Sequence, residues 1–365
     1  MKKIIAIVLA AGEGTRMKSA TLPKVLHPIC WKPMIGYILE TIQSIGIKKI
    51  IVVTGYKSEQ VQRFLGASSN GNIKTAKQTN PLGTADAVKC TKPLLKDFKG
   101  DLLILYGDMP LITKECLETI VKKHQSANAA CTLLTAMVKN PTGFGRIARD
   151  EMGRVLKIVE ERDASLYEKV IEEINVGAYC FDKEFLFEAL KNARPHIVRS
   201  RKEYYLTDAV SFLSRRGKKI ESILTNNLDE AFGVSSRNDL VKAQEIIRKR
   251  TLSRLIEAGV TIVDPQTIYI DDRVKVKQDT VIHPFTIIEG EVRIGSRCSI
   301  GPFCRIKGQT YVAEDVEVGN FVQIVNSRIG KAAVISNHTF LDRASVPAYS
   351  IAEGAPAKFK RNIKK

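Results

Sequence analysis

Apolar residues recur at every sixth position through the last third of this 365-residue chain. The series is unbroken over ten positions, and a second series of β-branched or small residues runs two positions ahead of it. No helix produces a period of six, whereas a β-solenoid whose triangular coil contains three hexapeptides does. The first series is Ile270, Val276, Ile282, Ile288, Ile294, Ile300, Ile306, Val312, Val318 and Ile324. The second is Ile268, Val274, Thr280, Thr286, Val292, Cys298, Cys304, Thr310, Val316 and Val322.

The hexapeptide pattern resembles that of the left-handed parallel β-helix, which is an exception to the right-handed crossover rule. After Ile324 the register slips, and we expect it to return at Val334, Phe340 and Val346. The resemblance implies a homotrimer assembled through the flat faces of the solenoid. The period itself predicts only the solenoid.

The first 225 residues or so follow a different pattern, in which short apolar runs alternate with helical ones. This alternation predicts an α/β fold, a mostly parallel, doubly wound sheet of the Rossmann-like kind. A charged helix, Arg237 to Ala258, follows it, so we expect domains at 1–236 and 259–365 joined by 237–258. The expected strands are Ile4–Leu9, Ile50–Thr54, Leu102–Leu105 and Ala130–Ala136. The expected helices are Met34–Ile45, Ser58–Phe64, Ala85–Leu95 and Thr113–His124.

A glycine loop follows the first predicted strand, with Gly12, Gly14 and Arg16, and Lys24 comes shortly after it. Glycines let backbone N–H groups approach a polyphosphate, and cations hold its charge. The loop lacks the Gly-Lys-Ser/Thr of the Walker motif, and Met17 stands where the dinucleotide fingerprint has its third glycine. An ordinary turn between strand and helix is the structural alternative for a lone Gly-x-Gly.

Asp108 follows another buried strand, next to Gly107. A carboxylate at a strand end is well placed to hold Mg²⁺, which chemistry on nucleoside triphosphates needs. Gln78, Gly83 and Thr84 form a second loop that opens a helix, and a glutamine amide pairs with both donors and acceptors on a base. Simple capping and turn roles are the alternatives for Asp108 and for this loop.

A net charge of +18 favours anionic partners, but no base-reading motif accompanies the basic clusters. We therefore expect no nucleic-acid partner, and interpret the clusters, including the tail from Lys358 to Lys365, as solvated surfaces. Seven cysteines without a Cys-x-x-Cys pair indicate a reduced, cytoplasmic protein. The apolar run after Lys2-Lys3 is too short for a signal peptide or a membrane span, so we expect no membrane partner.

The string from Leu9 to Met17, with Pro23-Lys24 behind it, resembles the signature of sugar-1-phosphate nucleotidylyltransferases. Four later segments match in order and spacing: 141–147, 159–161, 174–177 and 203–208. Together they resemble the bacterial bifunctional family of N-acetylglucosamine-1-phosphate uridylyltransferases and glucosamine-1-phosphate N-acetyltransferases. The resemblance covers residues 3–260 and extends more loosely into the solenoid, with a one-residue difference between Met17 and Pro23.

This resemblance implies that Mg²⁺-dependent transfer of UMP from UTP to N-acetylglucosamine-1-phosphate gives UDP-N-acetylglucosamine, a cell-wall precursor, and pyrophosphate. It implies catalytic roles for Arg16, Lys24 and Asp108, with Asp108 on the metal. The implied nucleotide residues are Leu9, Ala10, Ala11, Gly12, Gln78, Gly83, Thr84, Tyr106 and Gly107. The implied sugar-phosphate residues are Gly145, Glu160, Asn175, Tyr205 and Thr207.

Several positions depart from the family pattern. Ser235 replaces the asparagine that is the second metal ligand, so the metal is held through water or by Asp229 or Glu230 instead. Asn175-Val176-Gly177 and Gly83-Thr84-Ala85-Asp86 also differ, and the second leaves the choice of base open.

In the solenoid, Arg305 and His338 fall on acetyltransferase positions, but Val325 replaces a lysine and Phe340 a tyrosine. The later coils that hold acetyl-CoA are missing from the sequence, which closes on Val346–Lys358 like the cap of other hexapeptide acyltransferases. We therefore expect an oligomerisation module that has lost acetyl transfer. The alternatives are another sugar-1-phosphate, such as glucose-1-phosphate, or another nucleotide, a bifunctional enzyme, and a non-catalytic regulatory or scaffold subunit.

Overall fold

The computed structural model describes residues 2–68, 71–198 and 201–361. The chain divides into two units, 1–28 with 32–243 and 29–31 with 244–365, and each is described by itself. The long helix Arg237–Glu257 begins in the first unit and ends in the second, whereas the sequence division treats all of it as a connector. Of the basic tail, residues 362–365 lie outside the described residues.

A nine-stranded sheet forms the centre of the first unit, in the order β9-β5-β8-β4-β1-β2-β3, with β6 beside β8 and β7 beside β6. Neighbours along this order are parallel, except that β8 runs antiparallel to both β5 and β4. The four predicted strands are confirmed to within one residue at each end. The strands are β1 Ile4–Ala10, β2 Ile50–Thr54, β3 Ile73–Lys77, β4 Asp101–Tyr106, β5 Cys131–Met137, β6 Arg146–Arg149, β7 Val155–Val159, β8 Glu173–Asp182 and β9 Ile220–Thr225.

Two hydrophobic cores contain alternate residues of the central strands, because successive side chains of a strand point to opposite faces. In β1, Ala6 and Val8 belong to one core and Ile5 and Ile7 to the other, so the strand is buried on both faces. This explains why β1 has a continuous apolar sequence. The helices are α1 Met34–Ser44, α2 Ser58–Ser68, α3 Thr84–Lys89, α4 Lys114–Ala127, α5 Leu166–Lys169, α6 Lys183–Lys191, α7 Asp208–Arg215 and α8 Arg237–Glu257.

One predicted helix, Ala85–Leu95, is wrong in its extent. The chain forms α3 and then a separate 3-10 turn, Lys92–Leu95. Pro93 at the start of that turn has no N–H for a continuing α-helix and its ring clashes with the preceding turn. The other 3-10 turns are Thr15–Met17, Lys24–Leu26 and Leu228–Ala231, and two small hairpins pair Pro28–Ile29 with Lys32–Pro33 and His196–Val198 with Arg201–Glu203.

The strand order reverses direction beside β1. The chain runs from β1 outward through β2 and β3, then returns to place β4 on the opposite side of β1. In open α/β sheets, ligands bind at the carboxyl ends of the strands at such a point. The glycine loop after β1 and the Gly107-Asp108 turn after β4 both lie there.

The second unit is a parallel β-helix of the predicted hexapeptide kind, with three sheets as its sides. Every residue of both predicted series is buried, and equivalent residues stack on the next coil 18 positions later, as Ile288 does on Ile306. The side chains of Leu252 and Leu255 from α8 belong to the same core. The strands of one sheet are Tyr269–Ile270, Ile287–Glu289, Arg305–Lys307, Gln323–Val325 and Phe340–Asp342. The strands of the second are Lys275–Val276, Arg293–Ile294, Tyr311–Val312, Arg328–Ile329 and Ser345–Val346. The third contains Thr261–Ile262, Val281–Ile282, Ser299–Ile300, Glu317–Val318, Val334–Ile335, Ser350–Glu353 and the antiparallel Lys358–Arg361.

The predicted return of the register after Ile324 is wrong at two of its three positions. Val334 is only half-buried and Phe340 is exposed, while Val346 is buried as predicted. One side of the coil is a residue shorter, so Ile329 stacks 17 positions after Val312 instead of 18. The buried series therefore continues as Ile329, Ile335, Leu341 and Val346.

Within the described residues, no helix combines the length and the apolar character that a membrane span requires. All seven cysteines are free thiols, and burial raises the pKa of those in the sheet, Cys131 and Cys180 among them.

Candidate active site at the switch point of the sheet

The ends of β1 and β4 are joined by a backbone hydrogen bond, in which Gly107 N–H donates to the Leu9 carbonyl at 2.9 Å. The Ala11 carbonyl accepts a bond from the Tyr56 N–H at 3.2 Å. Ala10, the last residue of β1, is buried, whereas Gly12 is exposed and has open space around its α-carbon. The predicted backbone segment Leu9 to Gly12 thus leads from a fixed strand into an open loop.

Gly14 lets Lys24 enter this loop. Its φ of +64° belongs to the left-handed region, and a β-carbon there would lie 2.6 Å from the Lys24 Cβ. Pro23 precedes the 3-10 turn that carries Lys24, with a φ of −66° that its ring fixes. The glycine and the proline together explain why Lys24 lies against the loop, although eight residues separate it from Arg16.

Lys24 and Asp108 form an ion pair between the Lys24 ammonium and the Asp108 Oδ2. The two side chains are only 15% and 25% exposed, so solvent screens the pair less than a surface one. The Asp108 carbonyl accepts a bond from the Val234 N–H at 2.9 Å, which brings the segment before α8 to the same edge.

Arg16 and Ser235 complete this group, with the Arg16 guanidinium donating to the Ser235 Oγ at 3.2 Å. Sequence reasoning missed Asp239, whose Oδ2 accepts bonds from the N–H groups of Ser235 and Ser236 at 3.0 and 2.8 Å. It also accepts from the Ser236 hydroxyl, which in turn caps the Asp239 N–H. The spacing Ser236-x-x-Asp239 is a capping box, and this signal could have found it.

The loop after β3 contains Gln78, which is buried. Its amide nitrogen donates to the Gly83 carbonyl at 3.0 Å and to the Asp86 Oδ2 at 2.8 Å. Both amide hydrogens are therefore engaged within the protein, and the amide oxygen is the polar atom left for a ligand. Asp86 is a further positioning residue that the sequence reasoning did not assign.

The same loop contacts the 203–208 segment. A β-carbon at Gly83, whose φ is +98°, would lie 2.5 Å from the Tyr204 carbonyl oxygen. The Thr84 Oγ1 accepts a bond from the Leu206 N–H at 2.9 Å. The predicted base loop and the predicted sugar segment are therefore packed directly together.

The remaining predicted sugar residues lie around β6 and β8. The Thr207 hydroxyl donates to the Glu160 Oε1 at 2.9 Å, and the Asn175 amide donates to the Tyr179 hydroxyl at 2.6 Å. The Gly145 carbonyl accepts from the Asn175 N–H at 2.8 Å. Burial raises the pKa of the Glu160 carboxyl, although the Thr207 hydroxyl opposes this by bonding the charged form.

Tyr106 joins the two groups of residues. Its ring lies against Gly177, where a β-carbon would be 2.7 Å away, and its hydroxyl interacts with Thr84 and Tyr179. Desolvation raises the pKa of the Tyr106 phenol far above its usual value, so the hydroxyl remains a neutral donor and acceptor.

Among the residues that the structure describes, no three His, Cys, Asp or Glu side chains converge as a metal site. Both carboxylate oxygens of Glu230 accept bonds from threonine hydroxyls, those of Thr113 and Thr225, so a structural role accounts for this side chain. Asp108 and Ser235 supply a carboxylate and a hydroxyl at one edge. That donor set suits Mg²⁺, which takes one or two carboxylates and completes its shell with phosphates and water.

An α/β domain with this edge, followed by a hexapeptide β-helix, defines a class of nucleotide-dependent transferases. The nucleotidyl transferase family matches residues 5–229, and the bacterial transferase hexapeptide family (six repeats) matches residues 273–308. The chain therefore belongs to the nucleotidyl transferase family.

Its relatives include proteins named bifunctional protein GlmU. The one from Pelotomaculum thermopropionicum is 46% identical over 283 residues, which are 78% of this chain and 60% of that protein. The one from Bacillus subtilis is 42% identical over 293 residues, 80% of this chain and 63% of that protein. The chain thus spans about three fifths of the length of the curated relatives it matches.

We expect Gly14→Ala to lower turnover at this site by about tenfold or more, because the added carbon displaces Lys24 from its position. Gly46→Ala is the matched control, since Gly46 also has a positive φ, +80°, but open space around it. Each substitution costs about 1–2 kcal/mol of stability for the left-handed backbone. Thermal unfolding and turnover should show similar stability losses but a turnover loss in Gly14→Ala alone. Equal turnover in the two variants would contradict the role assigned to this contact.

Proposed function

We propose that this chain transfers UMP from UTP to N-acetylglucosamine-1-phosphate, giving UDP-N-acetylglucosamine and pyrophosphate. The convergence of Arg16, Lys24, Asp108 and Ser235 at one strand edge carries the proposal. Two cations beside a carboxylate are the groups that a magnesium-bound triphosphate requires. The relatives named bifunctional protein GlmU belong to the family whose motifs the sequence resembles.

The reaction needs no general base. An oxygen of the sugar phosphate is already anionic and attacks the α-phosphorus in line, forming one P–O bond as the bond to pyrophosphate breaks. Arg16 and Lys24 stabilise the negative charge that moves onto the leaving pyrophosphate. The site contributes position and charge, which is the main source of catalysis in phosphoryl and nucleotidyl transfer.

Asp108 and Ser235 would hold Mg²⁺, with phosphate oxygens and water as its other ligands. When bound, the metal screens the phosphate charges and acts as a Lewis acid. Asp239 fixes the backbone of Ser235, and Arg16 donates to its hydroxyl, so this weaker ligand is at least held in place.

The environment of Gln78 supports uracil as the base. With both amide hydrogens engaged, Gln78 offers an acceptor oxygen. Uracil has a ring N–H that donates to such an oxygen, whereas the corresponding ring nitrogen of adenine is itself an acceptor. An adenylyl enzyme would need the opposite arrangement.

For the sugar we propose N-acetylglucosamine-1-phosphate, with Glu160 and Asn175 hydrogen-bonding the amino sugar beside Gly145. Tyr205 and Thr207 approach the sugar phosphate, and the Thr207–Glu160 bond at 2.9 Å supports their common position. Glucose-1-phosphate is the main alternative acceptor, because the same hydroxyls are present without the acetamido group.

We propose that the β-helix assembles a homotrimer and has no acetyltransferase activity. Both acetyltransferase-like residues are engaged in other contacts. The Arg305 guanidinium pairs with the Glu289 Oε1 at 2.6 Å, and the His338 ring stacks on Phe321 with 5.0 Å between centroids. That histidine ends a ladder of stacked rings, Phe285, Phe303 and Phe321, one per coil, which is a structural use for it.

Pyrophosphate release from a panel of sugar-1-phosphates and nucleoside triphosphates with Mg²⁺ tests the proposed reaction. We expect the highest kcat/KM for UTP with N-acetylglucosamine-1-phosphate, and EDTA should abolish release. Faster turnover with glucose-1-phosphate or ATP would replace the substrate assignment. Release with no pair would favour a regulatory or scaffold subunit.

A thiol-release assay with acetyl-CoA and glucosamine-1-phosphate tests the proposed loss of acetyl transfer. We expect no coenzyme A above the background without protein, because Arg305 and His338 have other partners and Val325 and Phe340 replace polar residues. Enzyme-dependent thiol release that disappears in His338→Ala would contradict this prediction. Sedimentation of the same sample should give the mass of three chains.

A further inference from the structure

His196 lies between two carboxylates beside the proposed sugar site. Its Nε2 is 2.9 Å from the Asp208 Oδ2, and its Nδ1 is 3.3 Å from the Asp163 Oδ2. A neutral imidazole has one N–H and can donate to only one of them, whereas an imidazolium donates to both. We call His196, Asp163 and Asp208 the histidine clamp.

The imidazole ring also stacks on Tyr205, with 4.3 Å between ring centroids and 25° between the planes. Tyr205 and Thr207 belong to the segment that enters α7, and Asp208 is the first residue of that helix. The clamp therefore holds this segment from two sides, through a stacked ring at Tyr205 and through an ion pair at Asp208.

Glu160 links the clamp to the sugar site. It accepts the Thr207 hydroxyl at 2.9 Å, and burial raises the pKa of its carboxyl. The negative charges of Asp163 and Asp208 raise this pKa further, while the charge of His196 opposes them. The protonated histidine thus favours the ionised form of a proposed sugar ligand.

We propose that protonated His196 is a positioning residue for the sugar phosphate, acting through Tyr205, Thr207 and Glu160 rather than by contact with the substrate. This inference rests on the proposed function of these three residues. Besides the clamp carboxylates, the charged or titratable groups near it are Glu160, Tyr205, Glu203, which pairs with His196 across the hairpin, and Arg162 near Tyr205.

The effect on binding follows from the exposure of the clamp. His196, Asp163 and Asp208 are 31%, 46% and 32% exposed, so each ion pair is partly screened. We therefore expect His196→Gln, which keeps a donor but loses the charge, to raise the KM for the sugar phosphate about three- to tenfold. The kcat and the KM for UTP should change less than about twofold, because the clamp does not touch Arg16, Lys24 or Asp108.

The pH profile separates positioning from a purely structural role. In the wild type, the KM for the sugar phosphate should rise as His196 loses its second proton. In His196→Gln it should be high and independent of pH over that range. The acidic limb of kcat/KM should move to higher pH in this variant, because Glu160 loses a nearby cation and its pKa rises. His196→Arg keeps the charge and a planar group, and should keep the KM low without the alkaline rise.

The matched control is His283→Gln in the β-helix, where the imidazole bonds only the Ser299 hydroxyl at 3.1 Å among the contacts described for it. It should leave both KM values unchanged. An unchanged sugar-phosphate KM in His196→Gln, or an equal rise for UTP, would overturn the proposal.

Hydrogen exchange of the 204–208 amides tests the clamp without any substrate. These amides are bonded to Leu82, Thr84 and Tyr205, and should exchange faster in His196→Gln than in the wild type at a pH where histidine is protonated. Equal exchange would overturn the clamp. If the wild type transferred nucleotide to no sugar phosphate but the exchange difference were present, the proposed function would fail and the clamp would stand as a structural device alone.

Discussion

The ion pair between Lys24 and Asp108 is the constraint on which the proposed active site depends. It joins the loop after β1 to the turn after β4, and it exists because the strand order places these two strands side by side. Each partner keeps the other charged and oriented in a partly buried position. A magnesium-bound triphosphate offers both partners new counterparts, phosphate for the lysine and metal for the carboxylate.

The other parts of the site are connected to this pair through a few contacts. Tyr106 ends β4 two residues before Asp108, and its hydroxyl interacts with Thr84 of the base loop and Tyr179 of β8. The base loop in turn bonds the 204–206 segment, so nucleotide and sugar residues share one hydrogen-bonded framework. Such a framework explains how residues from seven separate segments of the chain can act on one substrate pair.

The sequence predicted local features well and distant pairings poorly. The hexapeptide series was confirmed at every position up to Ile324, because burial in a coil follows directly from spacing. The continuation at Val334 and Phe340 was wrong, since spacing does not reveal which side of a coil loses a residue. Motifs identified Arg16, Lys24 and Asp108, whereas Asp86 and His196 were missed because their roles depend on partners brought together only by the fold. The substrate roles themselves stay predictions.

Turnover of Lys24→Ala with UTP and N-acetylglucosamine-1-phosphate tests the central claim most directly. The exposed Lys18→Ala in the same loop is the control for loss of a positive charge. If Lys24 stabilises the departing pyrophosphate, kcat should fall about a hundredfold to a thousandfold while circular dichroism shows an intact fold. A near-native rate in Lys24→Ala would contradict the proposed site.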